Sequence, residues 1–223
     1  MPNTNIFDNI NNFIQTYETT LPFSQKKVSF RPFRVKDAKI LGLILQEDNK
    51  KLAFKNMVEL LKNTTTEAEI DDLCLADAEY LFLQIRSKSV DEILNLVYQE
   101  EKIQVQIADI KYRNQVAEQE ISIGPNISLV LKTPTVKDLL RLETFDKQEY
   151  GKACIEKIIA NGEIYKLNKF VTDDIKSAIE NLPLSVLSKI DVFLKKQPEL
   201  YINLQLTDEQ KEVSGLLNFF TFR

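Results

Sequence analysis

The chain has no histidine and no tryptophan, and only five glycines, two cysteines and two methionines among 223 residues. Each shortage closes off chemistry. Without histidine there is no commonest general base, no commonest metal ligand, and no Ser-His or Cys-His pair. So few glycines supply no phosphate-cradling loop, and neither GxxxxGKS nor GxGxxG occurs. Cys74 and Cys154 sit in the apolar stretches DLCLAD and KACIEK with no second cysteine near either. They read as two buried free thiols, and a thiolate metal site is not expected. The longest apolar run, Ile40 to Leu45, is broken by Gly42 and falls far short of the roughly 20 residues that cross a bilayer. The opening MPNTNIFDNINN has neither the basic nor the apolar region of a secretory signal. The expected location is therefore a cytoplasm, where free thiols persist.

Net charge is −4 and the sequence pI is about 5.2. Lys26, Lys27, Arg31 and Arg34 come nearest to a basic patch. They read as a solvated strand edge, so neither a nucleic-acid nor a membrane partner is expected. Acidic pairs occur at Asp71-Asp72, Asp91-Glu92 and Asp173-Asp174. The last two follow a Ser or Thr and open amphipathic runs, as carboxylates do at helix N-termini. A carboxylate-based hydrolase would need two acids facing each other across a cleft, and no pair demands one. The expectation is a chain that is not an enzyme and carries no cofactor.

What is present is a patterned set of apolar residues, 43% of the chain. Ile6, Phe7, Ile10, Phe13, Ile14 and Tyr17 form a helical stripe, followed by the connection ETTLPFSQ. KKVSFRPF reads as a short edge strand that stops at Pro32. Helices are predicted over Val35–Gln46, Leu52–Lys62 and the LADAEYLFLQIRSKS stretch. A further helix is predicted in SVDEILNLVY, where Ser89 and Glu92 have capping-box spacing. From Lys102 the period becomes two. Ile103, Val105 and Ile107 alternate, then Ile121 and Ile123, then Ile127, Leu129 and Leu131, with Gly124-Pro125-Asn126 as the break. Beyond this come a helix capped by Thr135, a helix in EYGKACIEKIIANG ended by Gly162, and helices beginning near Thr172 and Pro183. The last elements are a strand through Ile202, Leu204 and Leu206 and a helix capped by Thr207.

FRPFRVKDAKIL and LKTPTVKDLLRL each carry a proline just ahead of Val-Lys-Asp. Aligning DDLCLADAEYLFLQIRSK with ENLPLSVLSKIDVFLKKQ places Leu73 on Leu182, Leu75 on Leu184, Leu81 on Ile190 and Leu83 on Val192. The halves read as a duplication, with Pro32 and Pro134 expected at equivalent strand-to-helix junctions. The fold class is α+β: two similar strand-Pro-helix helical units flank a central antiparallel β-hairpin or meander. Residues 1–24 form the amphipathic helix and linker, 25–100 the first unit, 101–131 the central β region and 132–223 the second unit.

VSFRPFRVKDAKILGLI, followed by LADAEYLFLQIRSKSVDEILNLVY and the terminal GLLNFF, resembles the baseplate hub assembly proteins of T-even-type contractile-tailed phages. PTVKDLL is similar to phage tail assembly chaperones more broadly. The resemblance covers most of the chain from about Lys27 onward. Some relatives carry paired zinc-ribbon cysteines after the LVY stretch, where this chain has Gln99, Glu100 and Glu101, so no metal is carried over. The resemblance implies a role in forming the baseplate hub, as a transient chaperone or as a retained hub component. The expected partners are phage hub or tail proteins, with a homo- or hetero-oligomer, in the host cytoplasm or the virion baseplate. Interfaces are anchored by aromatic, aliphatic and arginine side chains. The candidates are Phe7, Ile10, Phe13, Ile14, Arg31, Pro32, Phe33, Tyr80, Arg86, Phe219 and Phe220.

Overall fold

Apolar residues at alternate positions mark several of the strands. In the computed structural model, which describes residues 15–46, 49–66, 69–98, 101–166, 181–206 and 210–215, the class is α+β with antiparallel sheets throughout. Strands β1 (Tyr17–Thr20) and β2 (Lys27–Phe30) pair antiparallel, and Val28 and Phe30 point into the core. Helices α1 (Ala38–Gln46) and α2 (Lys50–Thr64) follow, and the short β3 (Thr65–Thr66) returns beside β2. The KKVSF strand is thus central in its sheet, not an edge. Asn49 caps α2 by accepting the N–H groups of Lys51 and Leu52, which satisfies two donors that the helix itself cannot.

Helix α3 (Leu75–Ser89) runs through the middle of the main core, with Ala78, Leu81, Phe82 and Ile85 each 0% exposed. In its first turn the buried carboxylate of Asp77 accepts N–H bonds from Phe23 (3.0 Å) and Ser24 (2.9 Å), which ties the β1–β2 connection to the helix. The predicted helix in SVDEILNLVY is instead strand β4 (Ile93–Tyr98), paired with β5 (Glu101–Gln106). Asp91 and Glu92 follow α3: the Asp91 carboxylate accepts the Ile93 N–H, and Glu92 pairs with Lys88 at 3.0 Å. They do not start a helix.

Strands of the central region join different partners. β6 (Lys111–Arg113) pairs with β11 (Glu199–Gln205), which also pairs with β12 (Gln210–Ser214). Arg113 binds Glu199 (2.7 Å) and Glu212 (2.8 Å), clamping these three strands. The segment expected to be a capped helix after Thr207 contains β12, and Thr207 itself lies outside the described residues. β7 (Glu118–Gly124) and β8 (Ile127–Lys132) form the hairpin expected around Gly124-Pro125-Asn126, where Asn126 adopts φ 57°.

After β8, helices α4 (Val136–Leu140) and α5 (Lys147–Ala153) lead to β9 (Ile155–Ala160), antiparallel to β8. β10 (Glu163–Lys166) extends this sheet to the order β10-β9-β8-β7. The single helix expected over EYGKACIEKIIANG is therefore a short helix and a strand. Gly162 (φ 84°) and Asn161 (φ 51°) make the β9–β10 turn, not a helix end. Helix α6 (Leu184–Leu194) follows Pro183 as expected and packs Val186, Ile190 and Phe193 on the sheet.

The halves share much of their order of described elements: two antiparallel strands, two helices, a strand returning beside the second, and later a helix and a hairpin, with β10 added before that helix in the second half. Leu75 and Leu184, aligned in sequence, each open their helix. Pro32 and Pro134 do not match in register, since the first lies five residues before Asp37 and the second four before Asp138. The main core is built across the halves. Val136, Leu139 and Leu142 of the second pack with the first, and Leu200, Ile202, Leu204 and Val213 do the same. A smaller core holds Leu129, Leu131, Cys154, Ile155 and the inner face of α6.

Candidate interaction surface

The two Val-Lys-Asp corners are built on one frame. Asp37 accepts the Arg34 N–H at 2.8 Å and pairs with Arg31, six residues earlier, at 2.6 Å. Asp138 accepts the Thr135 N–H at 3.0 Å and pairs with Lys132, also six residues earlier, at 2.9 Å. At both sites burial alone would raise the carboxyl pKa. Hydrogen bonds from the cation and the backbone outweigh it and hold both carboxyls below the ordinary range. Arg31 reaches further, to the carbonyls of Pro32 (2.9 Å) and Asn63 (2.8 Å), so its guanidinium joins the strand end, the corner and the end of α2.

Among the candidate anchors, Phe33 is half-buried with its ring 5.8 Å from that of Phe82, and its N–H donates to Ser89 Oγ at 2.8 Å. Arg86, between Phe82 and Ser89 along α3, donates to the Asp91 carbonyl at 2.8 Å. Burial lowers its pKa and Asp91 opposes the shift. The structure thus brings the Arg31-Pro32-Phe33 segment against the Arg86 end of α3. Tyr80 is half-buried against the main core. It sits six residues before Arg86, about 120° around the helix at 100° per residue. Phe7, Ile10, Phe13, Ile14, Phe219 and Phe220 lie outside the described residues. So do Asp173, Asp174 and Thr172.

Sequence reasoning missed where apolar side chains face solvent. Val35 is 94% exposed, whereas its counterpart Val136 is 0% exposed. On α6, Leu184 is 81% and Leu187 44% exposed. They line a groove of about 480 Å³ between α5 and α6, together with Gly151, Leu182, Ile190 and Leu194. Lys147 and Asp191 pair across it at 2.8 Å. On the edge strand β10, Ile164 (60%) and Tyr165 (51%) are exposed. The available signal was repeat asymmetry: Leu184 aligns with Leu75, which opens α3 and is half-buried against the main core, yet Leu184 faces solvent. Both cysteines are buried free thiols, and burial pushes each up to about 12. Among the described residues, no group of three or more His, Cys, Asp or Glu could hold a metal ion.

Exposed leucines, an apolar groove and an apolar strand edge are the surface of a protein that contacts other proteins. The chain belongs to the T4 bacteriophage base plate protein family, whose model matches residues 14–221. The resemblance read from the RPF, VKD and EYLFLQIRSKSV stretches is thereby borne out as membership of a baseplate protein family. No curated protein and no solved structure matches the chain. A baseplate protein works beside other baseplate proteins, in the virion or while it is assembled in the host. No helix among the described residues is long and apolar enough to cross a membrane.

Proposed function

We propose that the chain serves hub formation in the phage baseplate as a non-enzymatic assembly factor, covering apolar surface on a hub subunit until that subunit meets its permanent neighbour. The family match over residues 14–221 supports a place in the baseplate, and the exposed apolar surface supplies a physical means for the assembly role. Among the described residues β10 is the edge of its sheet, with Ile164 and Tyr165 exposed, so an extended segment of a hub subunit can add to it as a further strand. The apolar stripe Phe7, Ile10, Phe13 and Ile14, and Phe219 with Phe220, are further anchors proposed from sequence. An alternative is a structural subunit retained in the hub, which the family description, a base plate protein, favours.

Infection with phage that cannot make this chain tests the role. Sedimentation and electron microscopy of the lysate should reveal baseplate intermediates lacking a hub. A normal yield of complete baseplates would sink the proposal.

A further inference from the structure

The corner of the second half is received by the first. Thr135 forms an antiparallel bridge with Cys74, the Val136 N–H donates to the Leu73 carbonyl at 2.8 Å, and Val136 is fully buried. Leu73 and Cys74 immediately precede α3. The matching residues ahead of α6 are Leu182 and Pro183, because Leu75 and Leu184 each open their helix. The bond from Val136 uses the carbonyl of Leu73 and no N–H of Cys74. A proline at the matching position, which has no N–H, is therefore compatible with the same contact. Beside Leu182 lies the open groove, with Leu184 at 81% exposure. The corner of the first half has the same Asp-centred frame, and its Val35 is 94% exposed.

We propose that the α5–α6 groove receives the Val35 corner of a second copy of this chain, repeating between chains the contact that Val136 makes within one. The Val35 N–H donates to the Leu182 carbonyl of the next copy, and the valine side chain covers Leu184 and Leu187. Corner and groove belong to different halves, so the contact is head-to-tail. Each added copy presents a fresh groove, and the array grows until a ring closes. This inference rests on the two corners and the groove, not on the baseplate reading.

Sedimentation velocity on the full chain tests it. Wild type should exceed monomer mass increasingly with concentration. Val35→Asp and Leu184→Asp alter exposed side chains, so both should melt like wild type. Each should be monomeric alone, because each lacks one side of every junction. Their equimolar mixture should form dimers and nothing larger, since the groove of the first variant still accepts the corner of the second. A wild type that stays monomeric at every concentration overturns the proposal, as does a mixture that stays monomeric or either variant alone forming oligomers. A monomeric wild type destabilised by Leu184→Asp alone also overturns it, and assigns the groove to an occupant from the same chain, such as the apolar stretch Leu216 to Phe222.

Discussion

Asp37 is the residue on which the first corner depends. Its side chain is 4% exposed and Arg31 is its ion-pair partner. Removing one member of such a pair strands the other in a poorly solvated site, which costs about 3–5 kcal/mol. Arg31→Ala should therefore lower stability by an amount of that order, read from urea unfolding. A change within the noise of a surface substitution would show that the pair is not structural. The carboxyl pKa of Asp37 is lower folded than unfolded, so its stabilisation is present above the unfolded-state value of about 3.9 and is lost as pH falls through the folded value. Asp37→Asn should be less stable than wild type at neutral pH, and the difference should shrink on acidification below pH 4. A difference that holds constant to low pH contradicts the pairing. Burial pushes the thiols of Cys74 and Cys154 up to about 12. A disulfide reagent at pH 8 should thus titrate neither until denaturant is added, and rapid reaction of the folded chain would mean that one is accessible.

Elements were legible where period and length agreed. The strand through Ile202 and Leu204 and the hairpin around Gly124-Pro125-Asn126 read correctly because apolar residues recur at every second position, although Leu206, read into that strand, lies just past its end. Ile93 to Tyr98 and Ile155 to Ala160 did not, because ILNLVY and IEKIIA carry apolar residues at spacings that fit either a helix or a strand buried on both faces. The deciding signals were local. Asn161-Gly162 between IIA and EIY is a hairpin turn signature, and both residues adopt positive φ. Gly162→Val should lose about 1–3 kcal/mol, the range for a non-glycine residue forced into such a conformation. Calorimetry that finds no change would mean that the turn rearranges freely. Gly151 is where α5 meets α6, and a Cβ there would stand 3.3 Å from Ile190 Cγ2. Gly151→Leu should cost about 1–3 kcal/mol by overpacking and should lower the melting temperature. A variant as stable as wild type would show that the helices part easily.

Across the whole molecule, the α+β class and the paired Val-Lys-Asp corners were readable, and the distribution of the core was not. Composition and period place residues inside, but they do not tell which half buries them. Val136 and Leu139 pack into the core of the other half, whereas the same motif at Val35 faces solvent. The candidate anchors divide in the same way. Arg31 and Phe33 were conspicuous in sequence because they are arginine and phenylalanine beside proline, and the fold engages both internally. Leu184 and Leu187 looked like ordinary core periodicity and are exposed. Such a molecule is suited to making contacts with neighbours, and the central question is whether those contacts last. Quantitative mass spectrometry of purified particles alongside the lysate that produced them addresses this most directly. An assembly factor is predicted to be abundant in the lysate and absent from particles. Recovery in particles at a fixed whole-number ratio to the hub proteins would contradict that role and make the chain a permanent part of the baseplate.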